Sequence, residues 1–395
     1  MLITNVLLFE AINFERLEWL SECILENYLP NIRNSELSNT QIGEINFFFT
    51  GDSIFSLIDK RFKKIWKKMV SPSEITLYVD PDELELYGFD LAMIDFNIVS
   101  NVNFWDNLIA KSKNNFSDNL MGFLQFDGPY MSRSSVHMLR FLTAALLNNL
   151  NIQLYSYLDG VHLGHKMQNP SEFENIAEGL IEVKNQANEK NLEFLMLACS
   201  RCGTARGYLK NADLNDFVQS NDVLSSYLFC NLNKIIDKFE ENHNIYSKCS
   251  LLIQNPYNKS HKKNPNLNKI KPTLLIFITH SSYGSEWTFG GLSLAVACAN
   301  HDIHTQVIFI EDGVYCLFGE HTVSEEDKLF NIQEIINATG DMDNLEYFAF
   351  SQSLQHRGIQ CNKGLEDVRI INNNELVEIL FFLQDNNIQK RVFFF

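Results

Sequence analysis

The sequence predicts an α/β protein of three tandem domains, each a mostly parallel sheet with helices on both faces. Two observations carry this. The first is an internal repeat. The segments FDGPYMSRSSVHMLRFLTAALL and HSSYGSEWTFGGLSLAVACAN each lead to an Asp-Gly-Val. Tyr130 stands thirty residues before Gly160 and Tyr283 thirty before Gly313, and each segment then reaches an Arg-Gly pair at Arg206-Gly207 and Arg357-Gly358. A fixed period of this kind marks duplicated structural units. The second is the alternation of short apolar runs with longer mixed ones, which reads as strand, helix, strand and implies parallel pairing.

Taken in order, residues 1–115 open with TNVLLFEA as a strand, a helix around Phe14–Tyr28, then INFFFTGDSIFSL and ITLYVDPDELELYGF. This segment reads as a worn relative of the repeat. TGDSIF aligns Asp52 with Asp312, Ile54 with Val314 and Phe55 with Tyr315, and Ser53 stands where the others have glycine. From Ser53 to Gly88 is 35 residues, against 45 from Gly313 to Gly358, so a shortened crossover is expected. Residues 116–256 supply GFLQFDG, a helix from Ser134 to Asn149, QLYSYLDG, a helix from Pro170 to Asn188, and LEFLMLACS. A polar stretch rich in Asn, Lys and Pro, 257–271, reads as a linker. Residues 272–395 give TLLIFIT, a helix from Trp287 to Asn300, TQVIFI, and a closing strand KRVFFF preceded by charge.

Composition narrows the function. A formal charge of -17 with pI ≈ 5.0 argues against a broad nucleic-acid surface, which needs a basic footprint. The run RFKKIWKK at 61–68 is a basic exception, expected to be a solvated helix face, with docking of an acidic partner or a tRNA as the second reading. Apolar runs are strand-sized, short of the roughly 20 residues of a membrane span. The start shows no basic, cleavable leader, so a cytoplasmic location is expected. The eight cysteines follow no disulfide framework, which suits reduced thiols.

LACSRCGTARG is where chemistry is easiest to place. An apolar strand ends at Ala198 and gives way to small and polar residues, and sites in such sheets form beyond the carboxyl ends of strands. Cys199 stands at that point, where backbone N–H groups and the nearby Arg201 and Arg206 favour a thiolate. The bland alternative is a strand-end packing cysteine. Against it, the third segment reads FAFSQSLQHRG at the same place and has no thiol, so one half of the duplication is singled out. Cys202 has three readings: a resolving partner, half of a zinc site, or a structural thiol. Zinc is weakest because no second Cys-x-x-Cys supplies the remaining ligands. His162, His165 and Lys166, in the loop after the first Asp-Gly-Val, are expected near Cys199 as auxiliaries or as merely solvated groups. The glycine of each Asp-Gly-Val is expected to supply a backbone conformation that other residues resist, and its aspartate a cap or turn.

These residues carry a family resemblance. THSSYGSEWTFGGLSLAVA, VIFIEDGVYCL and SLQHRGI resemble the DsrF/TusC branch of the DsrE-like sulfur-relay proteins, while FDGPYMSRSSVHMLRF, YLDGVHLGHK and LACSRCGTARGY resemble the DsrE/TusD branch. The first segment is similar, more faintly, to the small DsrH/TusB branch. The resemblance implies a sulfurtransferase in which Cys199 holds sulfane sulfur as a persulfide and Cys202, Arg201, Arg206, His162, His165 and Lys166 assist. No cofactor or metal is implied. It implies a TusA- or rhodanese-like donor protein and a TusE- or DsrC-like acceptor, serving tRNA 2-thiouridine synthesis or dissimilatory sulfur metabolism. It implies a homo-oligomer, in which two chains would rebuild a six-domain assembly, and first and third segments that act as scaffold and docking surface. Two other classes stay open: a non-catalytic DsrE-like assembly protein, and a thiol-disulfide oxidoreductase using Cys199 and Cys202.

Overall fold

A computed structural model describes residues 2–34, 43–113, 119–213, 216–242, 244–254, 272–324, 326, 329–360, 365–383 and 389–395. The linker 257–271 and Cys361 lie outside the described residues. Strands run mostly parallel and helices cover the sheets, so the α/β expectation stands. The sheets are shared between segments, however. Ile3–Leu8, Glu44–Phe49, Ile75–Val79 and Val99–Ser100 of the first segment lie in one ten-stranded sheet with Thr273–Ile278, Thr305–Phe309, Leu345–Phe350, Val368–Ile371 and Gln389–Phe394 of the third. Between the two groups runs Cys249–Gln254, the last described strand of the middle segment, antiparallel to Ile3–Leu8 on one side and to Gln389–Phe394 on the other. The middle segment keeps a second sheet of five parallel strands, in the order Tyr227–Cys230, Phe194–Cys199, Asn151–Ser156, Leu120–Gln125, Ile245–Tyr246.

Both faces of the large sheet are buried through its central strands, because successive side chains alternate between two cores. Leu7, Phe48, Ile276 and Val307 face a core shared with the middle segment. Val6, Leu8, Phe47, Phe49, Leu275 and Phe277 face a second core under the helices Phe14–Glu22, Lys60–Met69 and Asn373–Phe381. Strands buried on both faces read as continuous apolar runs, which is why LLIFIT and INFFF are legible as strands. Helix Trp287–Asn300 has the expected bounds. Ser134–Leu147 ends two residues early, and Ile176–Glu189 begins six residues after Pro170, where the Asn175 side chain accepts the N–H of Glu178 as an N-cap. Around Phe14–Tyr28 the helix changes pitch: it is α-helical to Glu22 and wider over Cys23–Tyr28. In the closing strand the charges are inside rather than before it. Lys390 and Arg391 are paired in the ladder and buried.

The repeat has one geometry in all three segments. After the second strand the chain extends through Thr50, Tyr157 and Ile310, then enters a 3₁₀ turn at Gly51, Leu158 and Glu311, whose φ values are +56°, +50° and +54°. The left-handed residue is therefore the one before the aspartate, a correction to the expectation for the Asp-Gly-Val glycine. Gly160 and Gly313 are required for space: a Cβ there would overlap the carbonyl oxygens of Gln125 and Ile278, the last residues of their first strands. In the first segment Ser53 takes this place and donates its hydroxyl to the corresponding carbonyl, that of Leu8, at 2.8 Å. The aspartate is a tether as well as a turn residue. Arg206 Nε donates to Asp159 at 2.7 Å, Arg357 Nε to Asp312 at 3.0 Å, and Tyr87, in the arginine's place, donates to Asp52 at 2.7 Å. Each is followed by a glycine at positive φ: Gly207, Gly358 and Gly88.

Candidate active site

In each segment a residue with extended backbone, at the end of the third strand or directly after it, caps a six-residue helix: Asp80 before Pro81–Leu86, Cys199 before Ser200–Ala205, Phe350 before Ser351–His356. Each stands eight residues before the positive-φ glycine. The helix of the next segment, in cyclic order, closes over it. Arg133 and Arg140 of the middle segment each donate to the buried Glu83 at 2.8 Å. Arg206 of the middle segment donates to Glu286 of the third at 2.6 Å, and Tyr157 donates to the Gly290 carbonyl at 3.1 Å. Arg357 of the third donates to both carboxylate oxygens of Glu15 of the first at 2.9 Å. Three segments in one ring thus give three junctions, and their chemistry differs with the residue at the strand end.

Only the middle junction holds a thiol there. Cys199 sits at the floor of a cleft of about 660 Å³ that Tyr157, Ser200, Arg201, Cys202 and Arg206 line from one side, with Tyr283, Glu286, Phe289, Phe330 and Ile332 of the third segment opposite. Four influences favour its thiolate and one opposes. The Cys202 sulfhydryl donates toward the Cys199 sulfur, burial acts the other way, and the backbone amides of Cys202 and Arg201 and the charge of Arg201 add to the first. The balance lowers the thiol to about 7. Cys202 is pushed strongly upward, first by its interaction with the Cys199 sulfur and then by burial, so it stays protonated. Among the described cysteines no other is lowered. Burial pushes Cys23 and Cys298 up to about 12, and Cys230, Cys249 and Cys316 up to about 11.

The two arginines differ. Arg206 is held by two carboxylates, Asp159 and Glu286. Arg201 stacks over Phe289 and Phe330, 5.7 and 5.6 Å from the ring centroids. His162, His165 and Lys166 are not among the residues lining the cleft. His162 Nδ1 shares a hydrogen bond with the Tyr208 hydroxyl at 2.6 Å, and its Nε2 lies 3.8 Å from Asp159. The His165 ring lies 5.9 Å from that of Tyr208, and Lys166 is exposed. The two histidines form a layer behind the Arg206–Asp159 pair. Sequence reasoning missed the third segment's wall. Its signal was in the repeat register: Glu286 follows Tyr283 by three residues as Arg133 follows Tyr130.

The other junctions have no thiol at the strand end. At the first, Asp80 is buried and accepts the Thr50 hydroxyl at 2.8 Å, and burial raises its carboxyl. At the third, Ser353 donates to Glu15 at 2.8 Å behind the apolar Phe350. Among the described residues no group of three or more His, Cys, Asp or Glu side chains is placed to hold a metal ion. No described helix is long and apolar enough to cross a membrane. Helix Lys60–Met69 buries Phe62, Trp66 and Met69 and turns its basic side chains outward, with Lys67 paired to Asp95 at 2.5 Å.

Comparison with known proteins places these features. An uncharacterized protein of Methanopyrus kandleri is 30% identical over 101 residues, 26% of this chain and 75% of that protein. One of Methanocaldococcus jannaschii is 34% identical over 88 residues, 22% of this chain and 71% of its own. Among solved structures, the ychN protein from E. coli is 24% identical and matches 31% of this chain and 99% of its own, with a TM-score of 0.25. The family model described as DsrE/DsrF-like matches residues 120–227 and again 273–382, together more than half of the chain. The middle and third segments are therefore two DsrE-like domains, and the chain belongs to the DsrE/DsrF-like family, which is associated with sulfur relay.

Proposed function

We propose that this protein is a sulfurtransferase that carries sulfane sulfur on Cys199. The observation that carries the reading is the contrast among thiols: one cysteine is lowered to about 7 at the floor of an open cleft while the other described thiols are raised. In the transfer, the Cys199 thiolate attacks the outer sulfur of a donor persulfide. A new S–S bond forms, the donor S–S bond breaks, and the donor leaves as a thiolate. An acceptor cysteine repeats the step on the Cys199 persulfide and regenerates the Cys199 thiolate, so no electron is gained or lost overall. A thiol near 7 suits both halves, since it is ionised enough to attack and acidic enough to leave. Donor and acceptor are protein cysteines of the TusA- or rhodanese-like and TusE- or DsrC-like kinds.

The first segment is, in this reading, a third DsrE-like domain whose strand end carries Asp80 in place of the cysteine, and the domains span about 1–115, 116–256 and 272–395. Its shared 3₁₀ turn, the Asp52–Tyr87 tether and Gly88 support the assignment. The closeness of Cys202 to Cys199 favours a second reading, thiol-disulfide exchange between the pair. One experiment separates them. After incubation with a small-molecule persulfide donor, intact-mass spectrometry is expected to show one added sulfur on the wild type and on Cys202→Ser, and none on Cys199→Ser. An adduct retained by Cys199→Ser would sink the proposal, and loss of two hydrogens in place of a gain of sulfur would favour the disulfide reading.

A further inference from the structure

We propose that the third segment takes part in the chemistry of Cys199: Phe289 and Phe330 position the Arg201 guanidinium beside the sulfur, and Arg201, not Arg206, is the cation that favours its thiolate. The proposal rests on Cys199 being the working thiol and adds how its reactivity is set.

Both arginines line the cleft, but their charges are not equally available. Arg206 Nη2 stands 2.7 Å from Asp159 and 2.6 Å from Glu286, so two carboxylates more than offset its charge. Among the described residues no carboxylate pairs with Arg201. It stands two residues after Cys199, in the first turn of helix Ser200–Ala205, lines the same cleft, and its charge acts on the sulfur, but it is exposed, and a free arginine there would spread over many rotamers and dilute its field in water.

The two rings remove that freedom. Phe289 and Phe330 stack on each other, with centroids 4.7 Å apart and planes within 8°. The guanidinium lies at similar distances from both centroids. Phe289 is rigidly placed, in the first turn of helix Trp287–Asn300. Phe330 is half exposed at the rim, so the pair is an aromatic seat on the surface of the third segment, facing the thiol of the middle one. A guanidinium over ring faces is attracted by their negative quadrupole and keeps its charge, whereas a carboxylate partner would neutralise it. That difference suits a group whose task is to present charge to a neighbour.

The test is the pH dependence of Cys199 alkylation by iodoacetamide in the full chain, with the modified peptide identified by mass spectrometry. The Phe289→Ala/Phe330→Ala variant is expected to raise the apparent pKa of Cys199 by about half to one unit and to slow alkylation at pH 7 about two- to fivefold. Tyrosine at both positions is expected to restore the profile, since its ring offers the same face. Arg201→Ala should give a similar shift, and adding the phenylalanine substitutions to it should give no more. An unchanged pKa in the aromatic variant overturns the proposal, as does a further shift on the Arg201→Ala background. Alkylation does not need sulfur transfer. A failed persulfide assay with the expected alkylation shifts would remove the functional reading alone, and unmoved profiles would remove this inference alone.

Discussion

Cys199 and Cys202 are three residues apart and both buried, yet their acidities move in opposite directions. The two thiols are coupled, so stabilising the first thiolate makes the second harder to form. The alkylation rate of Cys199 is therefore expected to rise with pH and level off above about 7, falling tenfold per unit on the acid side. A free thiol would inflect near 8.5. The sign follows from the thiolate being the nucleophile: a lowered pKa extends reactivity toward acid and adds little in base. A pH–rate profile that inflects at the ordinary thiol value would contradict the geometry. The strand-end position of Cys199 was legible in sequence, because a repeat with a thiol in one half only draws attention to that half. The inequality of Arg201 and Arg206 was not legible. Both are cations near the motif, and only the fold assigns one to carboxylates and the other to aromatic rings.

At the scale of the element, the Asp-Gly-Val turn is a spacing device that brings the strand end close to the first strand. Alanine at Gly160 or Gly313 would drive a Cβ into a backbone carbonyl that cannot move without its strand, at a cost of about 3 kcal/mol. Gly207 is a different case. Its φ is +79° with nothing within 4 Å of an added Cβ, so alanine there meets only backbone strain of about 1 kcal/mol. Urea unfolding midpoints are expected to rank the variants in that order, and equal losses would contradict the distinction. The motif announced a constrained glycine in sequence, but could not say whether conformation or space was the constraint. The helix starting at Ile176 shows the same boundary problem. Apolar and polar pattern placed the helix, while the Asn175 cap that sets its first turn was hidden among several polar residues.

For the whole molecule, the three segments meet around Lys248, in the turn between Ile245–Tyr246 and Cys249–Gln254. Its Nζ donates to Glu10 of the first segment at 2.6 Å and to Asp127 of the middle one at 2.9 Å, and it lies 3.8 Å from the ring centroid of Trp287 of the third. Lys248 and Asp127 are both buried. Lys248→Ala leaves the carboxylate without its cation and is expected to cost about 3 kcal/mol, read as a lower thermal midpoint for the chain as a whole. A loss confined to one segment, seen as partial unfolding, would show that the lysine does not join them.

The sequence by itself determined the α/β class, the first strands of both matched domains, the common frame of tyrosine, Asp-Gly-Val and Arg-Gly, and the position at which one copy alone carries a thiol. These are legible because period, apolar runs and turn residues are local. Tertiary structure alone decided that Cys249–Gln254 leaves its segment's sheet to bridge the strands of the other two segments within one ten-stranded sheet, that the junctions run in a ring, and that the third segment walls the Cys199 cleft. Those are pairings between distant parts of the chain. A strand buried on both faces reads the same whichever sheet receives it, and a phenylalanine at a helix start reads the same whether it faces solvent, a core or an arginine.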